Sequence, residues 1–170
     1  MVSGITLNLF DFQEKAVMKL LEMTTDSNEK QTIIMRAPTG AGKTIILIDF
    51  IDEYLNKVNP NTAFVWMCPG KGDLEEQSRE KMQKFAPQRN TQDLKDALQN
   101  GFTPEGTTFI NWELVTKKGN TSLREGEKKN LFECVAEAHR NGIDFIVIVD
   151  EEHYNNTKKA QEIINPFAAK

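Results

Sequence analysis

The chain has 170 residues, enough for one domain to bury a sizeable core without disulfide staples. Apolar residues make up 39% and charged residues 27%, and the apolar ones come in clusters, which excludes a wholly disordered chain. Its 21 Lys and Arg against 25 Asp and Glu leave a net charge of −4, which excludes indiscriminate coating of nucleic acid but not a local basic groove.

Cys68 and Cys134 are far apart, no CxxC occurs, and His139 and His153 lie in separate segments. No zinc-site spacing can be assembled from them, and the pattern suits a reducing compartment. The N-terminus lacks the early basic residue of a signal peptide, and Asp11 interrupts its apolar character. The longest apolar run, Ala63 to Cys68, is far too short to span a membrane. A cytoplasmic protein with no membrane partner is expected.

In chain order, Phe12, Ala16 and Leu20, with Val17 and Leu21 beside them, form one apolar helix face that ends in the polar stretch Thr24 to Asn28. Thr32 to Arg36 reads as a short strand. Thr44 to Val58 reads as a helix with Leu47, Ile51, Leu55 and Val58 on one stripe, stopped by Asn59-Pro60-Asn61. Ala63 to Met67 is a second strand. Asp73 is placed to N-cap a polar helix running to about Phe85. Leu94, Ala97 and Leu98 make a short helix stopped by Asn100-Gly101, and Thr107 to Ile110 is a third strand. Lys117 to Gly126 reads as a loop. Leu131, Val135 and Ala138 mark a helix that ends at Asn141-Gly142, and Phe145 to Val149 is the clearest strand. Apolar strands alternating with helices imply an α/β fold, a parallel sheet covered on both faces.

Ala37-Pro-Thr-Gly-Ala-Gly-Lys-Thr44 lies between a strand candidate and a helix, where a phosphate-binding loop belongs. Such a loop turns its N–H groups inward around phosphate oxygens, and the helix N-terminus adds a favourable dipole. Pro38, Thr39, Gly40, Ala41, Gly42, Lys43 and Thr44 are the candidate cradle. Lys43 can reach the β- and γ-phosphates and Thr44 can ligate Mg²⁺; Ala37 stands where the strict pattern has glycine. Phe145 to Val149 runs into Asp150 and Glu151, placing carboxylates at a strand's C-terminal end, the ligand side of such a sheet. Asp150 is assigned to Mg²⁺ through water, and Glu151 to orienting or deprotonating the attacking water.

These segments, with Asp150-Glu151-Glu152-His153, resemble motifs I and II of superfamily 2 helicases of the DExH kind. Within that superfamily the chain is most similar to the motor subunit of type III restriction enzymes. The resemblance implies a RecA-like P-loop NTPase domain over 1–170, with the strands before Pro38 and Asp150 close together at the sheet centre. It implies ATP and Mg²⁺ as ligands, duplex DNA as the track, and a modification (methyltransferase) subunit as a partner. Gln13, in Phe10-Asp-Phe-Gln13, stands where an adenine-reading glutamine lies, and an amide suits the N6 and N7 edge. Pro69 to Gln77 resembles motif Ia with one extra residue, and Lys71 is a candidate DNA-phosphate contact. Asn111, before Trp112, occupies the place of the next DNA-facing motif. His153 is implied to couple the nucleotide site to DNA or to a second motor domain. His139, Cys68 and Cys134 read as structural.

No Ser-Ala-Thr-like motif, second RecA-like domain or PD…(D/E)xK nuclease signature follows within the sequence. The chain is therefore expected to be the ATP-binding half of a DNA-dependent translocase, completed by a second RecA-like domain of the same parent. Two other readings share these motifs: a DExH helicase or remodeller outside restriction, and a catalytically silent nucleotide-binding scaffold.

Overall fold

Thr62–Cys68 (β1) is buried along its whole length, as a strand without a polar side chain after Thr62 requires. Its odd residues Ala63, Val65 and Met67 enter one core, and Phe64, Trp66 and Cys68 enter the other. This two-sided burial makes β1 the centre of the layering. In the computed structural model, which describes residues 8–25, 32–69, 73–111, 125–150 and 158–168, β1 pairs in parallel with Gly106–Asn111 (β3) and Asp144–Val149 (β4). Asn90–Asp93 (β2) adds to the other side of β3, giving the order β2-β3-β1-β4.

Three helices cover the face of Phe64 and Trp66: Asp11–Thr25 (α1), Lys43–Lys57 (α2) and Leu74–Phe85 (α3). Trp66 stacks on Phe109, while Phe50 and Tyr54 meet Phe64 edge-on. The opposite face packs under Leu94–Asn100 (α4), Glu125–Arg140 (α5) and Lys158–Ala168 (α6). There Phe102, Phe145 and Phe167 make mutual edge contacts. Each fully buried large apolar side chain contributes about 1.5–3 kcal/mol, so these two clusters dominate the stability. The α/β arrangement with helices on both faces of a parallel sheet is the expected one.

Several local expectations are corrected. Residues 32–36 join no ladder of the described sheet. Burial alternates there, with Ile33 and Met35 half-buried and Thr32, Ile34 and Arg36 exposed, so the segment keeps a strand's period without a described strand paired to it. β4 accordingly lies at an edge of the described sheet and not at its centre. Asp73 precedes α3 with φ 53° and makes no side-chain cap; its carbonyl accepts from Gln77 N–H instead. Left-handed backbone at that position turns the carboxylate away from the helix N–H groups. The expected loop 117–126 falls outside the described residues up to 124, and Glu125 and Gly126 already belong to α5.

α4 has the capping box that Asp93 and Asp96 make reciprocally. Two elements carried no signal that distinguished them in the sequence: β2, whose four residues are all polar, and α6, which contains Pro166 near its end. The Pro166 carbonyl pairs with His139 Nε2 at 3.0 Å, and the His139 ring packs edge-on against Phe145, which makes His139 structural. Cys68 and Cys134 are both free thiols. Among the described residues no helix is long and apolar enough to cross a membrane.

Candidate functional site

Residues 37–42 form a tight loop that feeds directly into α2. Ala41 N–H donates to Pro38 O at 3.1 Å, and Gly40 and Gly42 take φ values of 81° and 77°. Only glycine adopts such angles without strain, so the two glycines are what let the loop curl over the helix start. Gly42 is the N-cap of α2, and its carbonyl accepts from Ile46 N–H at 3.0 Å. No side chain caps this end, so the first N–H groups of α2 point toward the loop unclaimed by a cap. Lys43 is exposed at the first helical position, and Thr44 behind it is half-buried. A glycine turn leading into an uncapped helix start can hold an anion.

Gln13 closes the outer side of the loop. It is 7% exposed; its Oε1 accepts from Phe10 N–H at 3.0 Å, and its Nε2 donates to Ala41 O at 3.0 Å. A Cβ at Gly42 would stand 2.5 Å from Gln13 Nε2. Gly42→Ala should therefore lose the left-handed turn and the Gln13 contact together, costing about 1–3 kcal/mol. In a Gln13→Ala background the same substitution should cost measurably less by urea denaturation. Equal costs in both backgrounds would show that the two residues do not interact.

Between the start of α1 and the loop lies a cavity of about 520 Å³ lined by Phe12, Ala16, Met35, Arg36, residues 37–41 and Ile46. Phe12, which lines it and is 53% exposed, stacks on Phe10, 69% exposed, with centroids 5.9 Å apart and planes 6° off parallel. Two phenyl rings left this exposed are available to a flat partner.

Asp150 follows β4 directly, and its N–H donates to Met67 O at 2.9 Å, one step past the ladder. It therefore stands beside Cys68 at the carboxyl end of the sheet. Burial, with Asp150 next, pushes the Cys68 thiol up to about 12, so Cys68 stays a neutral thiol. Asn111, paired in register with Cys68, ends β3 on the same rim. Ile146 and Ile148 of β4 pack against the core that holds Ile46 and Ile48 of α2, so the helix behind the loop and the strand before Asp150 border the same apolar core. Lys71, Glu151 and His153 lie outside the described residues.

Two buried carboxylates on α2 had no sequence signal, because each sits among apolar residues of a helix. Asp52 is fully buried and accepts from Arg89 Nε at 2.7 Å and Gln88 Nε2 at 3.0 Å. Asp49, 9% exposed, has its pKa raised from 3.8 to about 6, first by burial and then by Glu53 and Asp52. Because the folded chain holds that proton more tightly than the unfolded one, stability falls as pH rises from about 4 through 6 and then levels. Asp49→Asn removes that loss, and it should stabilise the protein by about 1–3 kcal/mol above pH ~7 and by nothing below pH ~4. Denaturant midpoints of both proteins across that range are the check.

The family model described as type III restriction enzyme, res subunit, matches residues 6–170. No curated protein matches the chain. The matched span takes in the glycine loop, Gln13 and Asp150, and nearly the whole sequence. The chain belongs to the family of the type III restriction enzyme res subunit, a family of superfamily 2 helicase N-terminal domains.

Proposed function

We propose that this domain binds Mg²⁺–ATP in the loop 37–44, as the nucleotide-binding half of a motor that hydrolyses ATP to move along duplex DNA. The observation that carries the reading is the Gln13 amide, fixed between Phe10 N–H and Ala41 O at the edge of a glycine loop that opens a helix. Those two contacts determine which end of the amide is oxygen and which is nitrogen. One N–H and one oxygen lone pair remain, a pair that matches N7 and the N6 amino group of adenine. Guanine presents acceptors at both O6 and N7, so it would leave the amide oxygen facing an oxygen. The exposed rings of Phe10 and Phe12 give the base a surface to stack on.

In this reading Lys43 neutralises the β- and γ-phosphates while the N–H groups of residues 39–44 cradle them. Thr44 and Asp150 offer hard oxygen donors of the kind Mg²⁺ accepts, and they would hold it with water and phosphate completing the shell. The bound ion would draw charge from the phosphate oxygens. Glu151 is assigned to the attacking water, His153 to coupling, and Lys71 and Asn111 to DNA. A second RecA-like domain of the same parent would supply the arginine that stabilises the transferring phosphoryl group, a contribution of about 10³–10⁵ in rate. Restriction is the assigned setting, with a modification subunit as partner.

The test is competition between ATP and GTP for the wild-type chain and for Gln13→Ala. Wild type should prefer ATP by roughly tenfold or more, and Gln13→Ala should lose most of that preference. An unchanged preference in Gln13→Ala would overturn the assignment of Gln13 to the base.

A further inference from the structure

The cavity beside the glycine loop has a single charged side chain among the described residues that line it, Arg36. Phe12 and Ala16 line it from α1, and Met35, residues 37–41 and Ile46 complete it, none of them charged. Arg36 is exposed, and among the described residues it makes no ion pair and no hydrogen bond. Its place in the chain is nonetheless well defined. Met35 before it packs against the core, and Pro38, with its locked φ, holds Ala37 extended behind it. The guanidinium therefore hangs from an anchored backbone into a hollow that offers it no carboxylate.

Phe12 stands on the α1 side of the same hollow, with Phe10 stacked on it. An aromatic ring on one side and an unpaired guanidinium on the other suit the two faces of one flat, electron-rich ring. Gln13 follows Phe12 in α1 and is fixed on Ala41 O, beside that ring's edge.

We propose that Arg36 is a positioning residue for the base of the nucleotide, its guanidinium plane stacking on the face opposite Phe12. This deepens the reading of residues 37–44 as a nucleotide site and rests on it. Lys43 and the loop take the phosphates, Gln13 takes the edge of the base, and Phe12 and Arg36 take its faces. Arginine suits the task better than lysine, because its planar and weakly hydrated head group gives up water to a π face at lower cost. Every base has such a face, so the contact adds affinity without choosing between adenine and guanine. Affinity for the base and choice of base thus fall to different residues.

The experiment is calorimetric titration of the full chain with the Mg²⁺ complexes of ATP, GTP and tripolyphosphate, which has no base. Arg36→Ala should weaken ATP roughly tenfold and GTP by the same factor, while tripolyphosphate stays within about twofold of wild type. Arg36→Tyr, planar but uncharged, should recover most of the loss, because stacking and not charge is what holds the base. Neither change should move the urea midpoint, since the side chain is exposed and unpaired. Arg36→Ala that binds ATP like wild type would overturn the proposal. An equal loss of tripolyphosphate would overturn it in favour of a phosphate contact, and a shifted ATP-to-GTP ratio would assign Arg36 to the edge instead. A wild type that binds none of the three ligands would overturn the nucleotide reading and the stacking contact together. Binding that depends on Lys43 and is indifferent to Arg36 would overturn the stacking contact alone.

Discussion

Lys43→Ala is expected to weaken Mg²⁺–ATP binding by about 100-fold or more, the largest effect on binding of any single change in the loop. Lys43 is exposed at the first residue of α2, immediately after the left-handed Gly42, so its ammonium can follow the phosphates while the backbone of the turn stays fixed. Removing it leaves the N–H cradle and the helix dipole intact, so the loop should keep its shape and the melting temperature should hardly move. Glu151→Gln is the control: the amide is nearly isosteric with the carboxylate, and losing a base should leave binding within about threefold of wild type. Calorimetric titration of the three proteins reads this directly. Equal loss of affinity in both variants would contradict the division of labour between phosphate neutralisation and water activation.

The second large effect is on stability. Arg89 is 8% exposed and ties three segments together. Its Nε donates to Asp52 at 2.7 Å, its Nη2 to Asn56 Oδ1 at 2.6 Å and to Asp52 O at 3.3 Å, and its Nη1 reaches Glu105 at 3.4 Å. The helix that begins at the phosphate loop is thereby fastened to the turn before β2 and to the entry of β3. Arg89→Ala leaves the fully buried Asp52 without its cation, and breaking such a pair from one side costs about 3–5 kcal/mol. Arg89→Lys should recover only part, because an ammonium cannot reach Asp52, Asn56 and Glu105 at once. The double change Asp52→Leu with Arg89→Met should recover more, since no buried charge is then left unpaired. Urea denaturation gives all three values. A loss below about 1 kcal/mol for Arg89→Ala would mean that water reaches Asp52.

The site was legible where residue chemistry is locally decisive. The glycines allow the turn that Gly40 and Gly42 make, a helix follows it, beginning at Lys43 and so one residue before the expected Thr44, and the five apolar residues before Asp150 form a strand. β1 was legible because its side chains are apolar on both faces, and β3 because Thr107 to Ile110 are all β-branched or aromatic. What stayed hidden depends on contacts distant in sequence. β2 is a strand because Asn90–Asp93 finds the free edge of β3, where Gln92 Nε2 donates to Thr108 Oγ1 at 2.9 Å, and nothing in four polar residues announces that edge. Asp52 and Asp49 look like solvent-facing charges on a helix until Arg89 and α1 are placed beside them. Residues 32–36 erred the other way: the alternation is real, but a strand also needs a neighbour, and the described sheet gives it none.

The role of Gln13 shows how far one residue could be read. Its type suited adenine, but its second task did not follow from the amide alone. That the same side chain fixes Ala41 O, and that Gly42 must lack a Cβ to let it, appears only in three dimensions.

The most direct measurement is photolabelling of the chain with 8-azido-ATP and Mg²⁺, followed by identification of the modified peptides. A nucleotide seated with its phosphates on residues 39–44 and its base against Gln13 should attach once per chain. The label should fall within residues 8–16 or 33–38, the segments that flank the cavity beside Phe12 and Arg36. Unlabelled ATP should suppress it, GTP should suppress it far less, and Lys43→Ala should abolish it. Labelling that falls elsewhere, or that persists undiminished in Lys43→Ala, would contradict the placement of the nucleotide and with it the assignment of residues 37–44 as its site.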